Sequence, residues 1–213
     1  MSGRRSKPLK RKQGSLPERK RFLIYCEGEV TERIYFASLK RRLRIPGVQF
    51  GPTHGEPLGL IKSAIDHQAR APKSAMDQFM AYDEVWCVVD VEAPVPHPTL
   101  DRALVLANRN DIKCAISNPC FELWLMLHVK DQRGYLTTDQ ACDSLEAHGT
   151  CCYTRSGKSF DPDALMDGYE VARKRAQQLT EAHNAETQWA NRNPFASVWE
   201  LVDRLRAQVD DPK

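Results

Sequence analysis

Two short, almost uninterrupted apolar runs, each closed by acidic residues, constrain this chain more than any other feature. Phe22–Cys26 ends at Glu27 and Gly28, and Val85–Val89 ends at Asp90, Val91 and Glu92. Apolar residues in succession, without polar alternation, suit strands buried on both faces, and such strands belong to parallel sheets covered by helices. Gly28 permits the sharp turn that must follow the first run.

The segments between and after these runs read as helices. The spacing of Phe36, Leu39 and Leu43 predicts a helix from Thr31, taken as its N-cap, to about Leu43, with Lys40, Arg41, Arg42 and Arg44 crowding the last turn where the helix dipole favours cations. A short strand is expected at Val48–Phe50, helices at about 58–68 and from Thr99 to about Asn108, and a strand at Ile112–Ile116. Asn118 followed by Pro119 predicts a cap and first turn for a helix carrying Phe121, Leu123, Trp124, Leu125 and Leu127. Beyond about residue 130 the strand signal stops. Helices are predicted near 138–147, from Asp161-Pro162 to about His183, and from Asn193-Pro194 to about Ala207. The expected fold is α/β: a mostly parallel sheet flanked by helices, with an α-helical C-terminal part. Its divisions are a basic tail over 1–20, expected to be disordered, an α/β core over 21–130, and a helical extension over 131–213 packed on that core.

Charge is distributed unevenly. Residues 1–21 hold nine basic side chains against Glu18 alone, a net +8; with +3 for the whole chain, the remainder carries −5. A basic arm on an acidic body suits a polyanionic partner, nucleic acid foremost, although a solvated tail has the same composition. No aromatic residue precedes Phe22, so the arm offers charge without base stacking. No apolar run approaches the roughly 18 residues of a membrane span. The basic start is followed by no apolar core with a cleavage site, so a cytoplasmic location and no membrane partner are expected. The seven cysteines are odd in number and lack Cys-x-x-Cys spacing, so neither a disulfide framework nor a zinc site is expected. No Gly-rich phosphate loop of the Walker or dinucleotide type is present.

The acids carry the chemistry. In open parallel sheets, ligands bind beyond the carboxyl ends of the strands. Glu27 stands there after the first strand, and Asp90 and Glu92 after the third. Alternate residues of an extended segment point the same way, so Asp90 and Glu92 can share one ligand. Oxygen ligands at this density suit Mg²⁺ or Mn²⁺ with a substrate phosphate.

At this point the chain resembles known families. Phe22–Glu32, an apolar strand closed by Glu27-Gly28 and a helix, resembles the first motif of Toprim domains, and Asp90-Val91-Glu92 resembles their Asp-x-Asp. Ser117–His128 resembles the signature of RloB-like proteins, a Toprim-related group of bacterial defence loci, and Asn193-Pro194 resembles that group too. The resemblance implies a Toprim-like core and metal-dependent cleavage of DNA or RNA in anti-phage defence. It implies that Glu27 transfers protons and that Asp90 and Glu92, joined by Glu27 in one metal-sized site, hold Mg²⁺ or Mn²⁺. It also makes Glu122 a catalytic candidate, although a carboxylate in a first helical turn is explained by the dipole alone. The third acid departs from the Toprim pattern, being Glu92 where Asp is usual. Arg155 and Lys158, in a basic Gly-containing loop, together with Arg192 and His128, are candidates for phosphate contact. A homo-oligomer or a partner protein of the same defence system is compatible with the sequence. Two alternatives remain open. One is a nucleic-acid-binding or sensor subunit with a relict metal site. The other is a haloacid-dehalogenase-like phosphatase with Asp90 as nucleophile, which the Val-Val-Asp-x-Glu run resembles, although that family carries its motif on the first strand.

Overall fold

The two apolar runs form neighbouring parallel strands, β1 (Phe22–Cys26) and β3 (Glu84–Asp90), with Phe22 beside Glu84 and Cys26 beside Val88. The computed structural model describes residues 19–209. Both strands are buried along their whole length, as unalternated apolar runs require. Their side chains divide by parity. Phe22, Ile24, Cys26, Trp86 and Val88 face one layer, with Tyr35, Phe36 and Leu39 of α1 (Thr31–Leu43). Leu23, Tyr25, Val85, Cys87 and Val89 face the other, with Leu60, Ile61 and Ala64 of α2 (Pro57–Arg70) and Ala103 and Ala107 of α3 (Leu100–Arg109). Two further strands, β2 (Val48–Phe50) and β4 (Ile112–Asn118), extend the sheet in parallel on either side. A fifth, β5 (Phe195–Ala196), closes it, giving the order β2-β1-β3-β4-β5. The protein is a mixed α/β fold with a mostly parallel sheet flanked by helices.

The α1 layer is thickened by α4 (Phe121–Val129), whose residues from Phe121 to His128 are all buried. It is enclosed by α5 (Thr138–His148), α7 (Tyr169–Ala182) and α8 (Val198–Arg206), which add Ala141, Leu145, Ala172, Ala176, Leu201 and Leu205 to one continuous core. Helix α5 starts with a complete capping box, in which Thr137 and Gln140 satisfy each other's backbone N–H. No helix among the described residues is long and apolar enough to cross a membrane.

Several sequence expectations are corrected. Thr31 is the first residue of α1 and not its cap. Asn118 does not open α4: the chain stays extended through it as the last residue of β4, and α4 starts only after Cys120. Asn193-Pro194 likewise precedes a strand and not a helix. The two asparagines bond each other, Asn193 Nδ2 donating to Asn118 Oδ1 at 2.9 Å, and Asn118 Nδ2 donates to the Trp189 carbonyl at 2.7 Å. These bonds tie the approach to β5 onto the end of β4, where Ser117 pairs antiparallel with Ala196. A two-residue strand has no period to detect, which is why the region past residue 130 reads as purely helical. The helix expected over 161–183 is divided into α6 (Asp163–Met166) and α7 at Gly168, where a Cβ would come within 3.0 Å of the His128 carbonyl oxygen. The disorder expected of the basic tail concerns residues outside the described ones up to 18. Of its last members, Arg19 Nη1 donates to the Arg44 carbonyl, and Lys20 pairs with Glu84 at 3.3 Å.

Candidate functional site

The chain leaves β1 toward β2 on one side of the sheet and leaves β3 toward β4 on the other, so a crevice opens beyond the carboxyl ends of β1 and β3. Glu27 bridges it. Its backbone N–H continues the ladder to the Val88 carbonyl at 3.0 Å, and its Oε2 accepts the Asp90 N–H at 2.9 Å. His97, from the proline-rich loop after β3, brings Nε2 to 2.7 Å from Glu27 Oε1. The pair is close in distance but not aligned as a hydrogen bond, and Nε2 has no hydrogen-bond partner among the described residues.

Around Glu27 stand further carboxyl groups. Glu32, in the first turn of α1, is buried and accepts the Gly28 N–H at 2.8 Å. Asp90 is buried, and its Oδ1 has no hydrogen-bond partner among the described residues. Glu92 lies past the strand end with a left-handed φ of 70°, its N–H donating to the Pro119 carbonyl and its carboxylate accepting from Thr138 Oγ1 at the start of α5. The extended alternation from Asp90 to Glu92 is therefore broken by a turn, although the Glu92 charge still reaches Asp90. Glu122, in the first turn of α4, is buried, and its Oε1 accepts from Tyr153 OH at 2.9 Å and Thr31 Oγ1 at 3.3 Å.

The electrostatics follow from this crowding. Burial pushes the Asp90 carboxyl well up, and the charges of Glu27, Glu32, Glu122 and Glu92 push it further. Burial raises Glu27 to about 7, against the Asp90 N–H and His97, which favour its charged form. Burial, with a contribution from Glu122, raises Glu32. Lys158, exposed at the rim, is lowered by its partial burial but raised more by Glu122, Cys142, Glu32 and Asp90, so its ammonium is held charged.

A stability prediction follows. Between about pH 4.5 and 7 the folded protein keeps protons on Glu27 that the unfolded chain has released, so raising pH through this window destabilises the fold. His97 opposes the effect by favouring ionised Glu27, while the raised Glu32 and Asp90 carboxyls reinforce it. The metal-free protein is expected to melt roughly 5–10 °C higher at pH 5 than at pH 8. Calorimetry in chelator checks this, and a melting point that rises with pH over this window contradicts it.

The remaining candidates lie elsewhere. Arg155 is engaged by Asp139 and Asp143 of α5, and its N–H bonds Glu146, so its charge is already answered. Arg192 donates to the Glu186 carbonyl and stacks over Trp189 at 4.5 Å. His128 is buried, with Nδ1 at 2.9 Å from the Trp124 carbonyl oxygen and Nε2 at 3.4 Å from Tyr35 OH. Burial lowers it to about 4, which keeps it neutral and turned away from any polyanion. Glu32, His97, Thr31 and Tyr153 enter the site without having been singled out for it. Glu32 stands within the Phe22–Glu32 motif and was legible there; His97 and Tyr153 lie in loops without periodicity.

A sequence model of the RloB-like protein family matches residues 22–205. The chain belongs to the RloB-like family. Searches of curated proteins and of solved structures gave no match. The matched span of this RloB-like protein takes in Glu27, Glu32, Asp90, Glu92, Glu122 and Lys158, and leaves out the basic arm before Phe22.

Proposed function

We propose that this RloB-like protein is a metal-dependent nuclease of Toprim type, cutting nucleic-acid phosphodiesters in the cytoplasm as part of bacterial anti-phage defence. The observation that carries the reading is the unpartnered Oδ1 of buried Asp90 amid Glu27, Glu32, Glu92 and Glu122. Carboxylates brought so close need protons or a cation, and this donor set is all oxygen, as Mg²⁺ or Mn²⁺ prefers. Asp90 and Glu92 would hold the cation, with Glu27 adjacent. The cation would supply Lewis-acid stabilisation of charge on the phosphoryl oxygens.

The protein's own groups divide the remaining work. Lys158 receives the phosphate at the rim. Glu27, raised to about 7, accepts the proton of the water that attacks phosphorus. The bond from phosphorus to the leaving oxygen breaks, and that oxygen takes its proton from solvent. His97 steadies the Glu27 carboxylate, and the Asp90 N–H fixes its other oxygen. The defence role rests on the family resemblance.

One observation favours a second reading, a nucleic-acid-binding subunit without turnover: Glu92 sits in a turn with its carboxylate engaged by Thr138. A single experiment separates the two. The purified full chain is incubated with labelled RNA and DNA in chelator, Mg²⁺ or Mn²⁺. Cleavage that needs the metal is expected; salt-sensitive binding with no cleavage in either metal establishes the second reading.

A further inference from the structure

We propose that Cys120, Cys142 and Glu122 form a second, thiolate-rich site for a thiophilic divalent cation of the Zn²⁺ class. Cys120 immediately precedes α4, Glu122 lies in its first turn, and Cys142 comes from the middle of α5. Their two Sγ atoms and a Glu122 carboxylate oxygen all lie within 4.8 Å of one another. All three residues are buried, at 2%, 3% and 5% exposure for Cys120, Glu122 and Cys142.

The chemistry differs from that of the strand-end acids. Zinc–sulfur bonds of about 2.3 Å and zinc–oxygen bonds of about 2.0–2.2 Å place tetrahedral ligand atoms roughly 3.5–3.8 Å apart. The observed cluster closes to that spacing with side-chain adjustments of about an ångström. Two thiolates select a soft or borderline cation over Mg²⁺. The surroundings resemble an outer shell: Tyr153 OH and Thr31 Oγ1 both bond Glu122 Oε1 and orient the carboxylate. Three protein ligands leave the fourth position to water.

The cysteines are 22 positions apart and fall outside every Cys-x-x-Cys pattern, so only the packing of α5 on α4 brings them together. A cation there clasps α5 and the Tyr153–Lys158 loop against the start of α4. Helix α5 also carries Thr138, which holds Glu92, and Asp139 and Asp143, which hold Arg155. The clasp thus sets one wall of the strand-end site, but its existence does not depend on any nuclease activity.

The test uses the full chain, purified under reductant, with Zn²⁺ and Co²⁺ as probes. The expected result is one tightly held Zn²⁺ per chain by elemental analysis. Its replacement by Co²⁺ should give a thiolate-to-cobalt charge-transfer band and the intense visible bands of a tetrahedral site. Carboxylates alone give no such charge-transfer band, so the strand-end acids cannot mimic it. Cys120→Ser and Cys142→Ser should each weaken Co²⁺ binding by at least about 100-fold, beyond the 10–100-fold of an outer-shell change. Cys152→Ser, at an exposed thiol, should leave it unchanged. Alkylation of the wild-type chain with and without Zn²⁺, mapped by mass spectrometry, gives a readout independent of whether the variants fold: Zn²⁺ should protect Cys120 and Cys142 specifically. Absence of the charge-transfer band in wild-type protein, its survival in the Cys120→Ser, Cys142→Ser double variant, or unprotected Cys120 and Cys142 in Zn²⁺ would each overturn the proposal.

Discussion

Asp90→Asn is expected to reduce metal-dependent cleavage by roughly 10³-fold or more while leaving nucleic-acid binding intact. Asp90 ends the central strand, is buried, and presents an oxygen without a hydrogen-bond partner among the described residues. An amide of the same size keeps the packing and removes the charge a hard cation needs, forfeiting several kcal/mol of stabilisation of the reacting phosphoryl group. The same substitution should raise the melting temperature of the metal-free protein. It removes a carboxyl held against burial and against the charges of Glu27, Glu32, Glu122 and Glu92. In wild-type protein Mg²⁺ should raise the melting temperature by mass action, and in Asp90→Asn that increment should vanish. Paired melts in chelator and Mg²⁺, alongside cleavage of labelled RNA and DNA, measure both effects. Cleavage by Asp90→Asn at the wild-type rate would rule out this site as the source of activity.

Glu27→Gln should cost about 10²–10⁴-fold in kcat, the range of a lost general acid or base, with a much smaller effect on metal affinity. The geometry makes the substitution conservative. The glutamine carbonyl can still accept the Asp90 N–H that Oε2 accepts now, so the coupling of the β1 and β3 ends survives. What is lost is a carboxylate raised to about 7, where it can both take and give a proton near neutral pH. The diagnostic is the pH–rate profile. Wild-type activity should rise with pH as Glu27 ionises, with the limb below pH 7 because an adjacent cation favours the carboxylate, and that limb should be absent from the residual activity of Glu27→Gln. A variant whose loss appears as weakened Mg²⁺ affinity, with the limb retained, would make Glu27 a metal ligand and not the proton acceptor. His97 supplies an internal comparison, because it lies against Glu27 Oε1 whereas the Asp90 N–H bonds Oε2.

The two predictions separate what each strand end contributes. Asp90 holds charge for a cation and Glu27 handles a proton, yet a single backbone hydrogen bond links them. Disturbing β1 or β3 upstream should therefore damage both functions together.

How far the residues alone lead is clearest from particular cases. The apolar runs 22–26 and 85–89 declare two-sided burial, because consecutive side chains of a strand point to opposite faces and both sets are apolar. Helical spacing marks α1 to α4 in the same way, and acids that end apolar strands mark Glu27, Asp90 and Glu92. These signals are local: each needs only the residues of one element and the water it must exclude. The fates of Arg155, Arg192 and His128 were not local. Three side chains suited to phosphate spend themselves on α5 carboxylates, on a carbonyl and a tryptophan, and on the core, through partners chosen by packing. The Asn-Pro pairs show the same limit, since cap chemistry and inter-loop bonding use the same side-chain atoms. The strand-end positions of Glu27 and Asp90, the parallel sheet and its helical cover were determined by the sequence itself, through periodic burial. That Glu122, Lys158 and His97 converge on them was decided only by the tertiary structure, because a contact between residues far apart in the chain is selected by the closure of the whole core and leaves no mark on the residues beside it.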